Sequence, residues 1–141
     1  MTIEKNKTNV NRITAELNKG NGAVFYEVTD PKAVDHSLPP GMPQTVERTK
    51  LLYMTFRAAF PDLKYTVEDV IAEGDKLVQR QTAHGTMTGA LQGMPAAGKQ
   101  ATWTETHIVR FENDKIVERW ANVDRAGMLQ QLGLMTSPSQ N

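Results

Sequence analysis

Residues 100–124 read QATWTETHIVRFENDKIVERWANVD, two alternating runs divided by Asn113-Asp114. Alternation with period two marks a strand, and a two-residue Asn-Asp break between such runs marks a hairpin. With Glu112 facing Lys115, the register follows by counting. One face then carries Trp103, Glu105, His107, Val109 and Phe111 with Ile116, Glu118, Trp120, Asn122 and Asp124. The other carries Thr102, Thr104, Thr106, Ile108 and Arg110 with Val117, Arg119, Ala121 and Val123. The first face, aromatic and titratable, is the candidate pocket wall; the second suits a sheet-to-sheet contact between two copies of the chain.

Upstream, Tyr65, Val67, Asp69 and Ile71 alternate up to the turn Glu73-Gly74-Asp75-Lys76, and Leu77 to Thr88 run back. Counted the same way, Asp69 faces Arg80, Val67 faces Thr82 and Tyr65 faces His84. Before this hairpin the period is helical. Val10, Ile13 and Leu17 predict a helix over 5–19, closed by Gly20 and Gly22, and a short turn follows over Ala23 to Val28. Prolines at 31, 39, 40 and 43 leave room for a strand only around Ala33 to His36. Thr45 caps a helix whose stripe runs through Val46, Leu52, Tyr53, Phe56, Ala59 and Phe60 to Pro61. Arg125 to Leu134 form a last helix, and residues 135–141 a polar tail. Helices first and long antiparallel strands afterwards predict an α+β fold, a single domain over 1–141 with an ordered core at about 5–134.

The chain has 141 residues, 16 Lys plus Arg against 16 Asp plus Glu, and no Cys. No net field draws it to nucleic acid or an anionic membrane, and neither disulfides nor thiolate metal sites can form. Met1 to Lys19 lack a basic stretch leading into an apolar run, and no window approaches the roughly 18 apolar residues of a membrane span. A cytoplasmic protein is the expectation. His36, His84 and His107 have no metal-ligand spacing, and no glycine-rich stretch leads into the Lys-Ser/Thr of a phosphate cradle.

Several segments together resemble the SnoaL-like polyketide cyclases, of the superfamily that includes ketosteroid isomerase, scytalone dehydratase and nuclear transport factor 2. They are Val34-Asp35-His36, Phe56 to Leu63, Val67 to Lys76, Gly85-Thr86-x-Thr88-Gly89, and Ile116-Val117-Glu118-x-Trp120-x-x-x-Asp124. The resemblance implies a cone-shaped, highly curved antiparallel sheet with N-terminal helices packed over the pocket, an α+β barrel. It further implies a homodimer and no cofactor. In such cyclases an Asp at the Trp-x-x-x-Asp position is the general acid/base of an intramolecular aldol closure, assisted by a His on the preceding strand; Asp124 and His107 match. The family's commoner Gly-Thr-His-Thr-Gly has Met87 in place of its His here. The Arg-x-Asp element of the superfamily's epoxide hydrolases is absent from Arg80-Gln81-Thr82.

The expected function is therefore a cofactor-free cyclase or isomerase acting on an enolisable, planar, apolar small molecule. Asp124 and His107 are its catalytic candidates. Trp103, Trp120, His36, Glu105, Asn122, Tyr53 and Phe56 are candidates for substrate binding. A dehydratase, a non-catalytic carrier and a dimeric interaction module are alternatives on the same cone. Residue pattern alone also leaves open that the two Trp are core and His107 a hydrogen-bonded strand residue.

Overall fold

The computed structural model describes residues 2–135, so the expected tail lies outside the described residues from 136 onward. Helix α1 (Ile3–Asn18) begins at Thr2, whose hydroxyl accepts the Lys5 N–H, and turns Val10, Thr14 and Leu17 inward at helical spacing. The short α2 (Val24–Val28) leads directly into strand β1 (Thr29–Asp35). Helix α3 (Val46–Ala59) starts on the Thr45 cap and ends before Pro61. Strands β2 (Lys64–Glu73), β3 (Lys76–Thr86), β4 (Gln100–Glu112) and β5 (Lys115–Val123) follow, then α4 (Arg125–Gln131).

The strands form one curved sheet in the order β1-β5-β4-β3-β2. β2 to β5 pair antiparallel, and β1 joins the edge parallel to β5. β1 starts earlier than the prolines suggested. Between Thr29 and Val34 its pairing is interrupted, where Pro31 has no N–H to give and the Asp30 carboxylate takes the Lys32 N–H instead. Pairing resumes with Val34 beside Glu118 and Asp35 beside Arg119.

Two bulges correct the registers counted from sequence. Phe111 pairs with Ile116 as expected, but Arg110 pairs with Glu118, leaving Val117 as an extra residue. From there on every β5 side chain lies on the face opposite to the one predicted. His107 faces Ala121 rather than Trp120, and Glu105 faces Val123 rather than Asn122. In the other hairpin Asp69 does face Arg80, but Glu68 is extra, so Val67 pairs with Gln81 and Tyr65 with Ala83.

The concave face packs on the helices through Val24, Phe60, Leu63, Leu77, Phe111 and Met128, none more than 2% exposed. Met87, where the related motif has His, is fully buried in this core. Gly89 is required next to it: the Thr88 and Gly89 N–H groups both donate to the Ala59 carbonyl at the end of α3. A Cβ on Gly89 would lie 2.5 Å from the Ala58 carbonyl oxygen.

Candidate functional site

Helices and sheet enclose a cavity of about 370 Å³, within the range of small-molecule sites. Its walls are mostly apolar: Val10, Ile13 and Leu17 from α1, Phe25 from α2, Leu52, Tyr53 and Phe56 from α3, and Leu77, Val109 and Ile116 from the sheet. Val34, Val123 and Arg125, also on the wall, are exposed and mark the mouth.

On the sheet side, polar groups form one connected network. Glu105 Oε1 accepts from Gln81 Nε2 at 2.9 Å and lies 2.8 Å from His107 Nε2; Glu105 Oε2 accepts the Trp103 indole N–H at 2.8 Å. Arg119 lies 2.6 Å from His107 Nδ1. A guanidinium only donates, so His107 Nδ1 accepts and the ring proton sits on Nε2, directed at Glu105. Beyond Arg119, its other terminal nitrogen donates to Asp35 Oδ2 at 2.9 Å and to Ser37 Oγ at 3.1 Å. Asp35 also accepts from Thr49 and from the Ser37 N–H. The network's polarity extends along β3. Because Gln81 gives its amide N–H to Glu105, its oxygen must take the Gln79 N–H, and Gln79 Oε1 is left buried without a partner among the described residues.

Charge follows from these contacts. Burial pushes the Glu105 carboxyl up, but hydrogen bonds from His107, Gln81 and Trp103 outweigh it and hold Glu105 below the usual carboxylate range. Burial likewise raises Asp35, and Arg119, Ser37 and Thr49 more than reverse it. His107 is lowered, by burial first and by Arg119 second, against the opposing pull of Glu105. The wall thus holds two carboxylates, one guanidinium and a neutral imidazole between them.

Of the residues singled out from sequence, His107, Glu105, Tyr53 and Phe56 line this cavity, and Asn122 lies at its exposed mouth. Trp103 is buried behind Glu105, its ring 5.2 Å from that of Phe60, so it orients the carboxylate instead of walling a ligand. Trp120, His36 and Asp124 are placed differently from expectation. The Val117 bulge turns Trp120 to the outer face, where it stacks on His36 at 5.2 Å, and His36 pairs with Glu118 at 2.7 Å. Asp124 is exposed, not opposite Trp103; its carboxylate caps α4 by accepting the Gly127 N–H at 2.9 Å, in space that a Cβ on Gly127 would occupy.

Counting from sequence missed Arg119, Asp35, Gln79, Gln81 and Tyr65. Arg119 was assigned to the outer face because a bulge leaves no mark in an alternating pattern. Gln79 and Gln81 do carry a signal, two amides at alternate positions between apolar residues of a strand, which is costly unless they are bonded. Among the described residues no group of three His, Asp or Glu is arranged to hold a metal ion, and no helix is long and apolar enough to cross a membrane.

Comparison with known proteins matches the SnoaL-like polyketide cyclase family over residues 8–132. AclR of Streptomyces galilaeus, a candidate hydroxylase, superposes with a TM-score of 0.86 at 24% identity, over 96% of this chain and 100% of that one. TsrD of Streptomyces laurentii gives 0.86 at 23% identity, over 96% and 99%. IdmH of Streptomyces antibioticus, a candidate polyketide cyclase, gives 0.80 at 29% identity, over 91% and 98%. No curated protein matches the chain.

Proposed function

Because the chain belongs to the SnoaL-like polyketide cyclase family, we propose that it is a cofactor-free enzyme that moves a proton on an enolisable carbonyl compound, closing or isomerising a planar polyketide-like ring. The fold does not choose this reaction, since a candidate hydroxylase and a candidate cyclase share it. The observation that carries the proposal is His107, held on a largely apolar cavity wall between Glu105 at Nε2 and Arg119 at Nδ1.

In this reading the acid/base is His107, and Asp124 serves as the helix cap at the mouth. His107 Nδ1 takes the proton from the carbon beside the carbonyl. Glu105, already accepting from Nε2, stabilises the imidazolium that forms. Arg119 has five N–H groups, and three are engaged by Asp35, Ser37 and His107. As charge moves onto the carbonyl oxygen, Arg119 turns toward that oxygen and frees the Nδ1 lone pair. The same proton then returns to the alkoxide of the new ring bond, so no cofactor or co-reactant is consumed.

Exchange of the α-hydrogens of 2-tetralone for deuterium, followed by NMR, tests this. The wild type is expected to accelerate exchange, and His107→Gln to lose about 100-fold or more of that acceleration. Asp124→Asn should retain it, since Asn caps a helix as well as Asp. Loss of exchange in Asp124→Asn with His107→Gln unaffected would return the acid/base role to Asp124. A wild type that binds the ketone without exchanging it would favour the carrier alternative.

A further inference from the structure

Tyr65 enters the cavity through the Glu68 bulge, which sets it opposite Ala83 on the concave face. Its backbone is clamped from α1: the Asn18 side-chain amide accepts the Tyr65 N–H at 2.8 Å and donates to the Tyr65 carbonyl at 3.0 Å. That pair of bonds replaces the neighbour that β2, an edge strand, lacks on this side. Four other hydroxyls on the wall are engaged within the protein. Tyr53 donates to the Leu17 carbonyl, Thr49 to Asp35, Ser37 to Asp35 and Thr14 to Val10.

The Tyr65 hydroxyl has no hydrogen-bond partner among the described residues, and it is not one of the sealed polar atoms without a partner. A phenol inside a cavity, positioned by two backbone bonds and left without an acceptor, has a donor to give to whatever occupies the cavity. Burial, and after it the Glu105 charge, push its ionisation well above the usual phenol value, so it remains a donor.

We propose that Tyr65 donates its hydroxyl proton to the carbonyl oxygen of the bound substrate, making it a specificity-determining and oxyanion-stabilising residue of this cavity. The inference rests on the proton-transfer reading above for the identity of that oxygen. It adds a requirement: the ligand must present a hydrogen-bond acceptor to the β2 side of the cavity, which a hydrocarbon of the same shape lacks.

Two probes of one shape decide it: 2-tetralone, which has the carbonyl, and tetralin, which does not. Titration by ligand-observed NMR is expected to show wild type preferring 2-tetralone, and Tyr65→Phe weakening that ligand roughly five- to tenfold while leaving tetralin unchanged. Phe keeps the ring, and the Asn18 clamp acts on the backbone alone, so the variant folds. The same substitution should slow exchange of bound 2-tetralone. Equal weakening of both probes, an unchanged 2-tetralone affinity, or a wild type with no preference between them overturns the inference. Binding of 2-tetralone by wild type without exchange overturns the proton-transfer reading alone, and the affinity ratio still judges the Tyr65 contact.

Discussion

His107 shows how one residue links stability to chemistry. An imidazole exposed in the unfolded chain takes a proton near pH 6.5, while in the fold burial and Arg119 keep it neutral to lower pH. Between those two values the unfolded state binds the extra proton, so stability is full above about pH 6.5 and falls as pH drops toward the folded value. The slope approaches about 1.4 kcal/mol per pH unit for one proton. Asp35 and Glu105, both lowered on folding, add a second loss in the same direction below their usual range near pH 4. Urea melts from pH 8 to 3 are therefore expected to show wild-type stability declining from about pH 6.5, and His107→Gln to remove that first limb while retaining the acidic one. An unchanged first limb in the variant would mean that another group produces it, and the lowered, neutral state of His107 would fall.

At the scale of elements, the bulge at Val117 decides which side chains make the site. Without it, alternation from Ile116 would send Trp120 and Asn122 into the cavity and Arg119 out, as counting predicts. With it, Arg119 reaches both His107 and Asp35, and Trp120 moves to the outer face. Deleting Val117 should force β5 either to slide past β4 or to withdraw Arg119 from Asp35. Leaving that carboxylate buried and unpaired costs about 3 to 5 kcal/mol, a fall of roughly 10 °C or more in Tm for a chain of this size. Scanning calorimetry checks this; a deletion variant with wild-type Tm would show that the bulge is not needed to build the site. The Glu68 bulge acts alike on β2, bringing Tyr65 rather than its neighbours to the concave face.

For the whole molecule, the outer sheet face carries a transverse apolar row. Ile71 pairs with Val78, Val78 with Ile108, and Ile108 with Trp120, and His36 stacks on Trp120 to extend the row to β1. Ile71 is 64% exposed, and threonines at 102, 104 and 106 continue the face along β4. Such a row across a sheet suits burial against its own copy, each strand meeting its counterpart about a two-fold axis. We propose a homodimer through this face. Sedimentation at micromolar concentration should give twice the chain mass, and Ile108→Lys should give the monomer with the fold retained by circular dichroism. A wild-type monomer would refute the dimer, and a dimer that survives Ile108→Lys would place the contact elsewhere.

Unlike the Thr2 cap of α1, the helix cap at Thr45, the stops at Gly20 and Pro61, the two hairpin turns and the alternation of β2 to β5 were all legible, because each depends on neighbours within a few residues. So was the β4 half of the site, Glu105 and His107, because no irregularity intervenes between the turn and the alternation that points them inward. What lay beyond reading were the parts contributed by β5 and β1. The Val117 bulge lies beside the Phe111 N–H bond to the Asp75 carbonyl, and the Glu68 bulge on the strand whose Tyr65 is held by Asn18 of α1, contacts between segments far apart in the chain. One extra residue inverts every later side chain, so Arg119 for Trp120, and a capping role for Asp124, were settled only when strands, helices and turns packed together.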